Sequence, residues 1–212
     1  MPPTSPPEVR PRQRRRSLDV RAALLEVGLA LLSDHDIEAL TVDQIVGRAG
    51  VAKGSFYSHF DGKEALAASI AREIREDIER RVTLANEGVT DPAARIARAI
   101  FVYVRRALKE PLRARLMLKG AIADFAPDGA LQRGVTADLQ RGLDQGRLRM
   151  PSLAAGVLAV QGCAYVVVAS AIVNSGGADA EHRAGEVVLM LLISFGLPEH
   201  DAHVQVQIAK QG

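Results

Sequence analysis

Several things are scarce in this 212-residue chain: aromatic residues make up 4%, tryptophan is absent, and Cys163 is the single cysteine. One cysteine cannot form an intramolecular disulfide, which excludes the small disulfide-stapled secreted classes and fits a reducing cytoplasm. Cys163 is therefore expected to be a buried small hydrophobe rather than a redox switch. Sustained period-2 alternation between turn residues is also missing, so no sheet is expected. The chain has no Gly-rich phosphate loop, no nucleophile elbow and no zinc-protease pattern, so it gives no sign of an enzyme, a catalytic residue, a cofactor or a metal. His200, Asp201 and His203 sit together in a polar tail with no further ligand at hand, and are read as solvated. The N-terminus has arginines but no apolar core before a small-residue cleavage site, unlike a secretory signal.

What is present favours helices. The composition is 48% hydrophobic and 25% charged, dominated by Ala, Leu, Arg and Val, of which the first three lose little on entering a helix. The net charge of +2 is mild but uneven. Arg10, Arg12, Arg14, Arg15 and Arg16 face only Glu8, so residues 1–16 carry +4 and the rest −2. Positive charge gathered at one end points to a polyanionic partner. With five prolines beside those arginines, residues 1–16 are expected to be a disordered basic arm, either touching DNA or simply solvated.

Leu18, Ala22, Leu25, Leu29 and Leu32 form a helical stripe after a candidate N-cap, Ser17. Thr41-Val42-Asp43-Gln44 has the T-x-x-Q form of a capping box opening a short second helix, which Gly50 ends in a tight turn. A third helix follows over 52–59. Leu66, Ile70, Ile74, Ile78 and Val82 then recur at every fourth position of a long helix over 63–85. Asp91-Pro92 caps the next one, and further helices are expected over 92–109, 112–124, 128–146, 152–174 and 181–196. The polar segment after Pro198 is expected to fray.

Thr41–Leu66 decides the reading. Two short helices meet at a Gly-containing turn, and the second opens with a lysine and small residues followed by aromatics. A helix-turn-helix presents that end of its second helix to the major groove, and small residues there let the backbone approach DNA. The segment resembles the DNA-binding motif of the tetracycline-repressor (TetR) family at Thr41-Val42, Ile45, Ala49-Gly50-Val51, Lys53-Gly54, Phe56-Tyr57, His59-Phe60, Lys63-Glu64 and Leu66. The resemblance spans about fifty residues from Leu18 onward, and beyond Ala85 it rests on helix count and layout. It implies an all-α fold with an N-terminal three-helix DNA-binding domain over 17–62 and a C-terminal helical bundle over 63–212 for effector binding and dimerisation. It implies that Thr41, Lys53, Gly54, Ser55, Tyr57, His59 and Lys63 meet DNA. Lys53 and Tyr57 would touch phosphate or thymine methyl, Ser55 a base edge, and Lys63 phosphate. Phe56, Phe60, Ile45 and Val51 would form the small core beneath them. Two residues depart from the pattern: Ala52 replaces a frequent capping serine, and Val46 a usual alanine.

Leu153–Val173 carries no charge over its length, so a membrane span has to be weighed. Its Ala and Gly content, Gln161 near its middle and the lack of an aromatic belt favour a buried interface helix with no membrane partner. Ala155, Gly156, Ala159, Gly162 and Val166, with Leu189 and Ile193 on the following helix, are the candidate homodimer contacts. Phe101, Tyr103, Leu116, Met117, Phe125, Gln161 and Tyr165 are candidates for an effector cavity, and ordinary core packing is the competing role for each. The whole reads as a cytoplasmic homodimeric repressor, released from a palindromic double-stranded operator by a small molecule. A helical small-molecule-binding enzyme or carrier without a DNA role, and a TetR-like activator or ligand-independent regulator, are the alternatives.

Overall fold

The computed structural model describes residues 11–120, 130–173 and 177–211. Among these residues every regular element is a helix. In order they are α1 (Pro11–Asp34), a 3-10 turn (Ile37–Ala39), α2 (Val42–Ala49), α3 (Lys53–Tyr57), α4 (Lys63–Ala85) and α5 (Pro92–Lys109). Then come α6 (Pro111–Lys119), α7 (Ala130–Asp144), α8 (Leu153–Val173), α9 (Gly177–Ser194) and α10 (Glu199–Gln211). The chain divides into two compact units, and the boundary falls inside α4 between Ile70 and Ala71.

The first unit packs α1, α2 and α3 together with the opening turns of α4. Helix α1 starts at Pro11 rather than after Ser17, because proline is tolerated at a first helical position and arginine propagates a helix well. Of the arm expected over 1–16, residues 11–16 thus have helical backbone, and Arg10 with the rest of 1–10 lies outside the described residues. The buried stripe of α1 is also turned relative to the expected one. Leu24, Leu31 and Leu32 are buried, with Gly28 between them, while Ala22 is exposed and Leu25 and Leu29 are only half-buried. Gly28 explains the rotation: a Cβ there would lie 2.9 Å from Leu66 Cδ2 and from Ile70 Cδ1. The glycine lets α4 come close, and close packing wins over the wider apolar side. For the same reason the compact unit runs to Ile70, about two turns past the break expected before Lys63.

In the second unit α5 is central. Asp91 Oδ1 accepts a hydrogen bond from the Ala93 N–H at 2.8 Å, Pro92 takes the first position, and Ile96, Ile100, Phe101 and Val104 are almost wholly buried. Each such side chain contributes about 1.5–3 kcal/mol when removed from water. Helices α6, α7, α8, α9 and α10 all pack on α5. Helix α8 buries Val157, Val160, Ala164, Val167, Val168 and Ala171 inward. Its length and composition would suit a bilayer crossing, yet this face belongs to the bundle core.

The segment after Pro198 is not frayed. It forms α10, which buries Ala202, Gln205, Val206 and Ala209. That spacing of three, four, seven is helical, but alanine and glutamine hid it among polar neighbours. Asp201 is not a solvated tail residue either: Arg147 donates to its carboxylate and also to Asp91 Oδ2 at 2.7 Å. This knot ties the start of α5 and the turn after α7 to the start of α10.

The Arg147 hydrogen bond holds the Asp201 carboxyl below the usual aspartate range, and the two carboxylates push the guanidinium up. A depressed carboxylate stabilises the fold above its unfolded pKa, roughly 3.9, and loses that contribution as pH falls through the lower folded value. Chemical-denaturation midpoints measured from pH 6 down to pH 3 should therefore fall more steeply for the natural chain than for Asp201→Asn. Arg147→Ala should cost about 1–3 kcal/mol at neutral pH.

Candidate nucleic-acid interface and ligand cavity

The sequence Thr41–Phe60 builds an exposed shelf on a small buried core. Thr41 caps α2: its Oγ1 accepts from the Gln44 N–H at 3.2 Å, and Gln44 Oε1 accepts from the Thr41 N–H at 2.8 Å. Gly50 ends α2 at φ 66°, a left-handed conformation that glycine adopts without strain. Its turn sends the chain into α3 at an angle set by Ile45, Val46, Phe56 and Phe60, all buried. Phe56 packs on Phe60 with centroids 5.8 Å apart and takes the Tyr57 ring edge-on at 5.4 Å. Val51 is half-buried at the rim of this core.

Above that core the candidate contact residues are not equivalent. Gly54 is exposed, and a Cβ there would meet nothing within 4 Å. Tyr57 is 51% exposed even though its ring leans on Phe56. Lys53 is exposed but paired, its Nζ 2.8 Å from Asp43 Oδ1 on α2; this hydrogen bond holds the ammonium above the ordinary lysine range. Ser55 is half-buried. Ala52, at the N-cap of α3, makes no side-chain cap, the consequence of lacking a hydroxyl.

His59 lies beyond the helix on which it was placed. Helix α3 ends at Tyr57, Ser58 is its cap, and the His59 N–H donates to the Phe56 carbonyl in the turn that follows. A five-residue helix is what a glycine and two aromatics sustain before Asp61-Gly62. Lys63 also differs from its expected role. Its ammonium donates to the Leu40 carbonyl at 2.8 Å and the Glu38 carbonyl at 3.3 Å, so it closes the end of the 3-10 turn. One donor is left for any phosphate.

In the second unit a cavity of about 160 Å3 opens among α4, α5, α7 and α8. Three effector candidates line it: Tyr103, Gln161 and Tyr165. The others do not. Phe101 is wholly buried in the core beneath the Arg105 guanidinium, and Leu116 and Met117 border a crevice of about 20 Å3 between α4 and α6. Phe125 lies outside the described residues. Sequence reasoning missed Glu79, Val82 and Thr83 of α4, Arg95 and Ile100 of α5, and Val135 and Asp138 of α7. Nothing in the linear pattern marks them, because they converge from helices far apart in sequence.

Of the candidate interface residues, Val166 is 63% and Ile193 40% exposed, Ala155 is exposed, and Gly162, Ala159 and Leu189 are half-buried. Gly156 differs: it is buried, and a Cβ there would fall 2.3 Å from Met150 Sδ and 3.3 Å from Leu139 Cδ1. Its missing side chain makes room for this chain's own core. The exposed face of α8 instead runs through Leu158, Val166 and Val173, joined on α9 by Met190. Cys163 is half-buried against the core, and burial pushes its thiol above the ordinary cysteine value.

The chain matches the family model described as bacterial regulatory proteins, tetR family, over residues 24–70. It is 31% identical over 85 residues to the HTH-type transcriptional repressor DhaR of Mycobacterium sp. (strain GP1), covering 40% of this chain and 43% of that protein. The match thus spans less than half of the repressor's own length. Its fold is that of a gamma-butyrolactone receptor (TM-score 0.66, 21% identity, 93% of this chain and 98% of the receptor). It is also that of RolR in complex with resorcinol (TM-score 0.59, 18% identity, 91% and 95% covered).

The capping box makes a direct prediction. Thr41→Ala should lower the stability of the first unit by about 1 kcal/mol while Thr41→Ser leaves it nearly unchanged, read as hydrogen-exchange protection of the α2 amides.

Proposed function

We propose, from the premise that the chain belongs to the tetR family of bacterial regulatory proteins, that it is a homodimeric transcriptional repressor whose grip on operator DNA is released by a small molecule. Membership makes it a regulator rather than an enzyme or carrier. The observation that carries the DNA half is the exposed shelf of Lys53, Gly54 and Tyr57, held by the buried Phe56, Phe60 and Ile45. Seated in a major groove, α3 brings the Lys53 ammonium to phosphate, the Tyr57 ring to phosphate or a thymine methyl, and Ser55 to a base edge. Gly54 lets the backbone approach. Thr41 adds a backbone contact from the start of α2, and His59 and Lys63 flank the groove from either side of Phe60. Lys53 has to leave Asp43 to reach the DNA.

Dimerisation is supported by the apolar face of α8 and α9. Leu158, Val166, Val173 and Met190 are each more than half exposed, an arrangement that soluble chains seldom leave open to water. Two copies pairing through α8 and α9 form a four-helix contact, and a two-fold dimer reads a near-palindromic site with half-sites about 34 Å apart.

Sensing is supported by the cavity. Glu79, Val82 and Thr83, which line it, lie on α4, the helix whose opening turns belong to the DNA-binding unit. A ligand that fits the cavity in only one setting of α4 shifts the equilibrium by its difference in affinity, typically about 1–3 kcal/mol. The gamma-butyrolactone receptor and RolR with its resorcinol share this fold, so the fold accommodates small-molecule recognition.

Two experiments test the proposal. Lys53→Ala and Tyr57→Ala should each weaken binding to the DNA upstream of the chain's own gene roughly ten-fold, with Lys53→Ala lowering the salt slope by about 1. Asp43→Asn, which frees Lys53 and removes a carboxylate facing phosphate, should tighten binding. If the natural chain prefers no sequence, even among random pools, the DNA-binding reading is lost. Separately, Val166→Asp should convert a dimer to a folded monomer by light scattering, and an unchanged mass would remove α8 from the interface.

A further inference from the structure

The cavity among α4, α5, α7 and α8 discriminates between ligand chemistries. Its volume of about 160 Å3 compares with the ~150 Å3 apolar cavity that holds one benzene ring. Most of its wall is apolar. Among its described lining residues the single cation is Arg95, and three of the five N–H donors of that guanidinium are engaged. Its Nε donates to Asp138 Oδ1 at 2.6 Å, and its Nη1 donates to the Asn86 and Val89 carbonyls at 3.1 and 3.2 Å. Glu79 adds a second carboxylate to the wall. Asp138 and Arg95 neutralise one another, which leaves Glu79 as the net charge of the described lining, so an anion placed here gives up its hydration and meets a like charge, which is unfavourable.

Gln161 presents the opposite situation. It sits on α8 at 9% exposure, lines the cavity, and its buried Oε1 has no hydrogen-bond partner among the described residues. Buried acceptors are almost always satisfied, so the Gln161 carbonyl, on a side chain that borders the cavity, is the group that a donor bound there would satisfy.

Resting on the sensing role above, we infer that the effector is an uncharged molecule of about one ring that donates a hydroxyl hydrogen bond to Gln161 Oε1. Small phenols and cyclic alcohols have this chemistry. Carboxylates, phosphate esters and long acyl chains do not: the first two bring a charge with no counter-ion, and the last exceeds the volume.

The test uses the full-length protein and three rings of nearly equal size, benzene, phenol and benzoate, with affinities read by ligand-observed NMR. Phenol should bind roughly three- to ten-fold tighter than benzene, the worth of one buried hydrogen bond, and benzoate should bind weakest. Gln161→Leu should remove the preference for phenol and keep benzene binding. Gln161→Met, of similar volume and without the acceptor, should do the same, guarding against a folding defect in the first variant. Benzoate binding as tightly as phenol overturns the chemical class. So does equal binding of phenol and benzene, which means that water satisfies Gln161. In both cases a sensing cavity still stands. Binding of none of the three removes the inference and the sensing role together. Phenol binding that leaves operator affinity unchanged supports the chemistry assigned to the cavity but overturns its role as the effector site.

Discussion

Helix α5 buries half of its residues and exposes only Lys109, and the larger unit is arranged around that burial. Ile96, Ile100, Phe101 and Val104 line one side, and five other helices supply the surfaces that cover it. Asp91 and Pro92 fix where the helix begins. The Arg147 knot then joins that start to α10, so the last helix is held by charge at one end and by Ala202, Val206 and Ala209 along its length. An amphipathic α5 is what makes the remaining helices useful: each needs an apolar partner, and α5 offers one.

The cavity follows from the same packing. Helices α7 and α8 meet α5 with side chains too small to fill the space near Gln161, including Gly134, Ala99 and Ala164. The bundle leaves there both a void and an unpaired acceptor, and a fold optimised for stability alone would keep neither. The Arg95–Asp138 pair shows the contrast. Both are charged and poorly exposed, yet they satisfy one another, which leaves Glu79 as the net charge of the described cavity wall.

The first unit solves a different problem, presenting polar groups on a very small scaffold. Its stability comes from Phe56, Phe60, Ile45, Leu24 and Leu66, all buried, and from the reciprocal cap at Thr41 and Gln44. The polar shelf is thereby free to carry groups chosen for contact. Even so, two of its lysines are engaged within the chain, Lys53 with Asp43 and Lys63 with the carbonyls of Leu40 and Glu38. One is an exchangeable surface pair, worth little in water and easily traded for phosphate. The other is a brace, and its chief product is the position of the turn before α2.

Local rules were legible in the sequence. The capping box at Thr41, the glycine turn at Gly50, the Asp91-Pro92 start and the four-residue stripe of α4 each depend on neighbours within a turn or two, so the linear pattern carries them. The helix-turn-helix is made almost wholly of such signals, so the linear sequence alone locates it. What the tertiary structure decided involved partners distant in the chain. It turned α1 onto Gly28, because only the approach of Leu66 and Ile70 makes a glycine valuable there. It ordered α10 through Arg147, a contact across 54 residues. It took Phe101 out of the cavity and brought in Glu79, Arg95 and Asp138, since a cavity belongs to four helices at once and to none of their sequences. Periodicity shows that a side chain faces inward; only packing decides whether it meets another side chain or an empty space.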